Sequence, residues 1–250
     1  MPRTVADDLW HMLAQAGVRR CYGIVGDALT PTMAALTRRS DIEFIHVRNE
    51  EWGTFAASAD ARLSDVPVAV CGTAGPGTAH LLNGLLGARH ERSKVIAIVG
   101  DAETPITGTD AIEETSPNDL FRIVALYSGR LVNPERARAV IQRALSTTVN
   151  ESGPTVIAVP GDVAGAKSPL EQPPEFVPPA RAAATAAGED VEAVAALVNE
   201  APRVAILGGD GCAEAGDEVL ALAPVLRAPG QAHGALGEVV EEGTDNLRLL

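Results

Sequence analysis

The stretch Val66-Pro67-Val68-Ala69-Val70-Cys71-Gly72-Thr73-Ala74-Gly75-Pro76-Gly77 decides the fold of this chain. Val66 to Cys71 is an apolar run with no polar face, the pattern of a strand buried on both sides. A glycine-rich turn follows, and the apolar residues beyond it continue at helical spacing to about Arg89. Strand, glycine turn and helix in that order make half of a β-α-β unit.

The alternation extends in both directions. Towards the N-terminus come a helix from Glu50 to about Leu63, a strand from Ile42 to Val47, a helix over 29–39, and a strand from Cys21 to Val25 closed by Gly26. Before these, Val5, Leu9, Met12, Leu13 and Ala16 recur at helical spacing, and Gly17 ends the run as a C-terminal stop does. Towards the C-terminus, Val95 to Val99 is a β-branched strand. Residues 133–151 form a helix with Ala137, Val140, Ile141, Ala144 and Leu145 on one face and Pro134 in its first turn, and Pro154 to Val159 is the last strand. The predicted fold is therefore α/β: an open, mostly parallel sheet with helices on both faces. Strand order is not readable from this pattern.

With 250 residues the chain can form one generous domain, or one domain and part of a second. Aromatic residues make up only 3%, so Ala, Val, Leu and Ile must build the core. A net charge of -13 repels a phosphate backbone and argues against nucleic-acid binding. No apolar run has the length of a membrane span, and the N-terminus lacks a secretory pattern. The three cysteines, Cys21, Cys71 and Cys212, are far apart and read as buried free thiols in a reducing compartment. A cytoplasmic location is the expectation.

Periodicity stops after Gly165. Pro169, Pro173, Pro174, Pro178 and Pro179, followed by a run of alanines, read as a linker. The expected organisation is a domain over 1–165, a linker over 166–188 and a partial second domain over 189–250. That last part holds a helix (about 189–200), a strand (Val204 to Leu207), the turn Gly208-Gly209-Asp210-Gly211 and a helix to about Leu226. This turn lacks the third glycine of a dinucleotide fingerprint, so a strand-to-helix turn is the preferred reading.

Two features could carry chemistry. Gly75-Pro76-Gly77-Thr78-Ala79-His80 lies between a buried strand and a helix, where glycines let a ligand approach the backbone and the helix start offers free amides. Its bland reading is a tight turn without a ligand. Glu50 opens a helix in Arg48-Asn49-Glu50-Glu51, and its bland reading is a carboxylate at the positive end of a helix dipole. In open α/β sheets, however, ligands bind at the carboxyl ends of the strands. Gly26, Glu50 and the Gly75 turn all follow such ends, so they should converge. None of the other four histidines has metal-ligand spacing, and no metal site is expected within this chain.

The order Tyr22-Gly23-Ile24-Val25-Gly26-Asp27, Arg48-Asn49-Glu50-Glu51 and Gly75-Pro76-Gly77-Thr78-Ala79-His80 resembles the N-terminal, pyrimidine-binding domain of the pyruvate oxidase and acetolactate synthase family. The likeness runs from Thr4 through Pro160-Gly161-Asp162-Val163 and resumes at Ala205 to Ala213, similar to the start of the family's central domain. It implies thiamine diphosphate as cofactor, with Glu50 as the catalytic carboxyl that hydrogen-bonds the aminopyrimidine ring. The exocyclic nitrogen then takes the thiazolium C2 proton, and the resulting ylid attacks a 2-oxo acid such as pyruvate. By the same resemblance Gly26, Pro76, Gly77 and His80 bind the cofactor, and Asp27, Ile112 and Glu113 face the substrate. A carboxyl that exchanges a proton with a ring calls for an apolar setting, which Trp52, Phe55 and the Pro76 turn are expected to supply.

The sequence departs from the family in places. The family usually has Phe-Gln-Glu where this chain has Ile112-Glu113-Glu114, and close relatives usually have His at Asn49. A carboxylate at Glu113 would repel an anionic 2-oxo acid unless protonated or turned away. The family holds Mg²⁺ and the diphosphate on another domain, through Gly-Asp-Gly and a later Asn. Gly209-Asp210-Gly211 does not take that role, because it aligns with the central domain and the only later Asn is Asn246. The diphosphate domain is thus expected from a partner chain in a homo- or hetero-oligomer, a dimer at least, or from a longer gene product. An FAD site, found in some full-length members, would have only the Gly208 region to rest on. The alternative is a non-catalytic protein that associates with family subunits.

Overall fold

The computed structural model describes residues 2–180, 185–227 and 230–232, which fall in two compact units, Met1–Arg181 and Ala182–Leu250. The first unit opens with helix α1 (Val5–Gln15). A capping box starts it: Thr4 Oγ1 accepts from the Asp7 amide, and the Asp7 carboxylate accepts from the Thr4 amide at 2.8 Å. Gly17, at φ +102°, ends the helix in the left-handed region. Strand β1 (Arg20–Gly23), a 3-10 turn (Asp27–Leu29), α2 (Thr30–Leu36), β2 (Glu43–His46), α3 (Glu50–Ser64), β3 (Val68–Gly72), α4 (Pro76–His90) and β4 (Val95–Asp101) follow. The unit continues with α5 (Pro117–Leu120), β5 (Tyr127–Arg130), α6 (Pro134–Glu151), β6 (Thr155–Pro160) and α7 (Gly161–Gly165).

The six strands are all parallel, in the order β2-β1-β3-β4-β6-β5. After β1 the chain moves to one side of the sheet, to β2; after β3 it moves to the other, to β4. The carboxyl ends of β1 and β3 therefore flank a topological switch point, where a crevice opens in sheets of this kind.

Alternation along the central strands divides the core in two. Ile96 and Ile98 of β4, with Cys21, Ala69, Cys71 and Ile157, face a cluster with Leu9, Trp10, Leu13, Ile141 and Leu145 from α1 and α6. Val95, Ala97 and Val99, with Val68, Val70 and Val156, face the opposite cluster with Ala57, Leu81, Leu85 and Phe121. The sheet is covered on both faces, and apart from Trp10, Phe121 and Met12 its largest fully buried side chains are Leu and Ile. Cys21 and Cys71 are buried free thiols, and Cys212 is half-buried rather than buried. Hydrogen bonding to Cys71, together with burial, pushes the Cys21 thiol well up, so it stays protonated and inert.

Two elements escape a reading by periodicity. Strand β5, Tyr127-Ser128-Gly129-Arg130, lies at the sheet edge and carries no apolar alternation. Helix α5 is a single turn. The first half of the proline-rich stretch also differs from a free linker. Lys167 bridges to Thr4, the Ser168 amide donates to Arg3 O at 2.9 Å, and the Phe176 amide donates to Gln15 Oε1 at 2.7 Å. The Arg3 guanidinium donates to Gln172 O at 2.9 Å, and its Nε makes a 2.7 Å ion contact with the buried Asp8. Residues 166–180 thus strap the first unit, with side chains and prolines that have no period of their own.

The second unit contains α8 (Gly188–Glu200), β7 (Ile206–Gly208), α9 (Gly216–Leu226) and β8 (Gly230–Ala232), with β7 and β8 parallel. A 3-10 turn (Asp210–Ala215) joins β7 to α9, so the Gly209-Asp210-Gly211 segment is part of a strand-to-helix turn. Residues 233–250 of the expected second domain, Asn246 included, lie outside the described residues.

Candidate active site at the carboxyl edge of the sheet

Glu50 is the first residue of α3, directly after β2 and the N-cap Asn49, whose side chain accepts from the Glu51 amide at 2.9 Å. It is only 6% exposed, an unusual state for a carboxylate at a helix start. The approach of α4 buries it. A Cβ on Gly77 would lie 3.1 Å from Glu50 Oε1 and 3.4 Å from the Gly72 carbonyl carbon, so this corner of α4 accepts no side chain without displacement.

The glycine turn is shaped by equally close approaches. A Cβ on Gly72 would lie 2.4 Å from Gly77 O. Gly75, at φ +65°, takes a conformation other residues rarely adopt. Pro76 follows at the first helical position, where a missing amide hydrogen costs nothing, and its ring faces outward. Thr78 Oγ1 closes the turn by donating to Thr73 O at 2.8 Å.

His80, one turn into α4, reaches Glu50: its Nδ1 lies 2.9 Å from Glu50 Oε2. The imidazole side chain is 49% exposed and that of Glu50 7%, so the ring bridges a buried carboxyl and solvent. Among the described residues no hydrogen bond reaches Oε1. Glu51, the next carboxylate along α3, is occupied separately by Asn83 Nδ2 at 2.8 Å.

Gly26 follows β1 in extended conformation, and a Cβ there would overlap Thr73 at 2.5 Å. Gly100, near the end of β4, approaches the Ala74 amide and Ala28 Cβ, each 2.8 Å from where its own Cβ would be. The ends of β1, β3 and β4 therefore meet around one point, and Glu50 and His80 meet on its α3–α4 side. Asp27 stands exposed at the start of the 3-10 turn after Gly26.

The loop after β4 is hung from a buried ion pair. Arg130 Nε donates to Asp101, which is 4% exposed, and its Nη2 donates to Ala102 O at 2.9 Å and Thr107 Oγ1 at 2.7 Å. Further out, the Gly108 and Ala111 amides donate to the Glu114 carboxylate and hold it below the ordinary carboxylate range. Glu113, at φ +60°, lies over Gly75, where an added Cβ would come within 2.8 Å of Glu113 Cβ. Its side chain is exposed, as is that of Ile112 at 93%.

The apolar setting expected from Trp52 and Phe55 is not found. Trp52 is 64% exposed and Phe55 44%, the Phe55 ring lying instead towards Gly87 on α4. Both stand on α3 turned away from the face that carries Glu50, so close backbone packing supplies the burial. The Glu50–His80 contact was absent from the sequence reading; a carboxylate opening one helix and a histidine one turn into the next are the trace of it there. Among the described residues no group of three or more His, Cys, Asp or Glu side chains could hold a metal ion, and no helix is long and apolar enough to cross a membrane.

Residues 3–121 match a protein-family model described as thiamine pyrophosphate enzyme, N-terminal TPP binding domain. A 42.6 kDa protein from Pseudomonas amyloderamosa, described as uncharacterized and lying in an isoamylase 3' region, is 39% identical over 90% of this chain and 57% of its own length. Pyruvate oxidase of Lactiplantibacillus plantarum is 34% identical over 85% of this chain and 36% of its own length. The chloroplastic acetolactate synthase of Arabidopsis thaliana is 29% identical over 87% and 33% respectively. The chain thus spans between 33% and 57% of the length of these curated relatives. Among solved structures, a thiamine diphosphate-dependent 4-hydroxybenzoylformate decarboxylase of Rhodococcus jostii RHA1 superposes with a TM-score of 0.82 at 18% identity. That match covers 92% of this chain and 44% of the other, a likeness of fold.

Proposed function

Because the chain belongs to the thiamine pyrophosphate enzyme family of pyruvate oxidase and acetolactate synthase, we propose that it supplies the pyrimidine side of a thiamine diphosphate site, with Glu50 as the activating carboxyl. One observation carries this reading. A buried carboxylate at the carboxyl edge of the sheet keeps one oxygen, Oε1, without a hydrogen-bond partner beside the close-packed glycine turn that opens α4.

The residues fit the group. A flat aminopyrimidine needs a carboxyl at its ring nitrogen and backbone that comes close without side chains, and Glu50 with Gly26, Gly75 and Gly77 has that make-up. Pro76 stiffens the turn at the start of α4. When bound, the cofactor would act as electron sink for decarboxylation of a 2-oxo acid. Glu50 would offer Oε1 to the ring nitrogen for proton exchange.

Asp27, Ile112 and Glu113 stand on the loops that would border the substrate. The Glu113 side chain is exposed to solvent, and the choice of a 2-oxo acid such as pyruvate would rest with this loop. The diphosphate and Mg²⁺ would be held by a domain that the described residues do not include, on a partner subunit of a dimer or larger oligomer.

The test is proton exchange at C2 of thiamine diphosphate, followed by NMR with Mg²⁺ and a subunit carrying the family's diphosphate domain. Glu50→Gln is expected to slow exchange by about 10²-fold or more, the usual scale for removing an acid-base group. Exchange as fast as in the unaltered protein would remove Glu50 from the role.

A further inference from the structure

We propose that His80 is the positioning residue of Glu50: its Nδ1–H holds Oε2 and thereby fixes Oε1 as the oxygen offered to the ligand. The inference rests on the cofactor reading of Glu50 and adds to it the device that orients the carboxyl.

A buried carboxyl with two equivalent oxygens can turn about its last side-chain bond, a broad torsion with no steep wells. It presents a defined oxygen only if the other is tied. Here the tie is the 2.9 Å contact to His80 Nδ1. Competing ties are taken up elsewhere: Asn83 engages Glu51, and the Thr54 hydroxyl donates to the Glu50 backbone carbonyl at 2.8 Å. Gly77 completes the arrangement, since any side chain there would crowd Oε1 at 3.1 Å.

His80 is suited to the task by its place on α4. The ring is attached one turn into the helix whose start approaches Glu50, so the length of the tie is set by helix packing rather than by a mobile loop. With its Nδ1 turned to Glu50 and half of the side chain exposed, the imidazole also links the buried carboxyl to solvent.

The contact has a spectroscopic signature. A neutral imidazole that donates through Nδ1 carries its proton there, whereas a free one favours Nε2. In the full chain labelled with ¹⁵N-histidine, two-bond proton–nitrogen correlations at alkaline pH should show His80 with the proton on Nδ1. Glu50→Ala should return it to Nε2. A proton on Nε2 in the unaltered chain, or no change in Glu50→Ala, would overturn the proposal.

Rescue separates positioning from scaffolding. Asparagine places an amide donor near the position of Nδ1, and alanine does not. The probe is the free hydroxymethyl form of the cofactor's aminopyrimidine, its binding to the full chain followed by chemical-shift titration. His80→Ala should weaken it about tenfold, the scale of one hydrogen bond. His80→Asn should restore most of the loss. Equal binding by His80→Ala and the unaltered chain would refute the role. If the unaltered chain bound no aminopyrimidine, the cofactor reading of Glu50 would fail, and the tautomer comparison would still decide whether His80 holds Glu50.

Discussion

Gly84→Ala is a perturbation whose cost follows from one close approach between helices. Gly84 lies on α4, one turn beyond His80, against Thr54 on α3, one turn beyond Glu50. A Cβ at position 84 would lie 2.4 Å from Thr54 Cβ and 2.7 Å from its Cγ2. Carbon atoms pack at about 3.5–4.0 Å, so the helices must separate by roughly 1 Å at this point. Overpacking of that order costs about 1–3 kcal/mol. Replacing a helical glycine returns about 0.5–1 kcal/mol. The net loss should be about 1–2 kcal/mol, and the same displacement would draw His80 away from Glu50. Urea unfolding followed through the buried Trp10 should show the midpoint falling by about 0.5–1 M at a slope of about 2 kcal/mol per molar. A second variant isolates the cause. Thr54→Gly is itself destabilising, yet combined with Gly84→Ala it removes the clash, so the pair should be more stable than additivity allows by about 1 kcal/mol. Gly84→Ala unfolding at the unaltered midpoint, or strict additivity with Thr54→Gly, would refute the reasoning.

Two further outcomes are expected. Arg3→Ala would leave the Asp8 carboxylate, 5% exposed, without its cation, at a cost of about 3 kcal/mol, the low end for a broken buried pair because Arg3 is itself partly exposed. Hydrogen exchange over 167–177 should rise sharply in this variant, and unchanged protection there would show that the strap is held by other contacts. Asp7 gives a pH dependence. Burial alone would push its carboxyl up, but hydrogen bonds from the Thr4 amide, Arg38 and the Thr4 hydroxyl outweigh it and hold the group below the ordinary range. A depressed carboxyl contributes stability that is complete above its unfolded value and is lost as pH falls through the folded one. The stability difference between the unaltered chain and Asp7→Asn should therefore shrink between about pH 5 and pH 2, and a constant gap would count against the capping box as its source.

The parts of the fold legible in the sequence were those with an apolar run, whether buried on both faces like β3 and β4 or at the sheet edge like β2 with Phe44 and Ile45. Val95 to Val99 and Val68 to Cys71 read as strands because both faces are covered, and Glu50 and the Gly75 turn could be placed at strand ends without knowing strand order. Strand β5 was not legible because Tyr127, Ser128, Gly129 and Arg130 carry no apolar run, unlike the other edge strand, β2. The strap over 166–180 was misread for a related reason: its hold comes from Arg3, more than 160 residues away, acting on backbone carbonyls that any sequence would offer. At the site, residue types and strand ends were readable, but orientation was not. Helical phase turns Trp52 and Phe55 away from Glu50, and the His80 tie spans 30 residues.

The Asp101–Arg130 pair separates two parts of the site. It fastens the root of the loop that carries Ile112 and Glu113, while the outer loop is closed by Glu114 upon its own backbone. Between those anchors the exposed Ile112 is free of the site, whereas Glu113 packs over the Gly75 turn, and Glu50 sits on a helix packed closely by glycines. The loop and the α3–α4 pair are thus held by separate sets of contacts, so loosening one need not loosen the other.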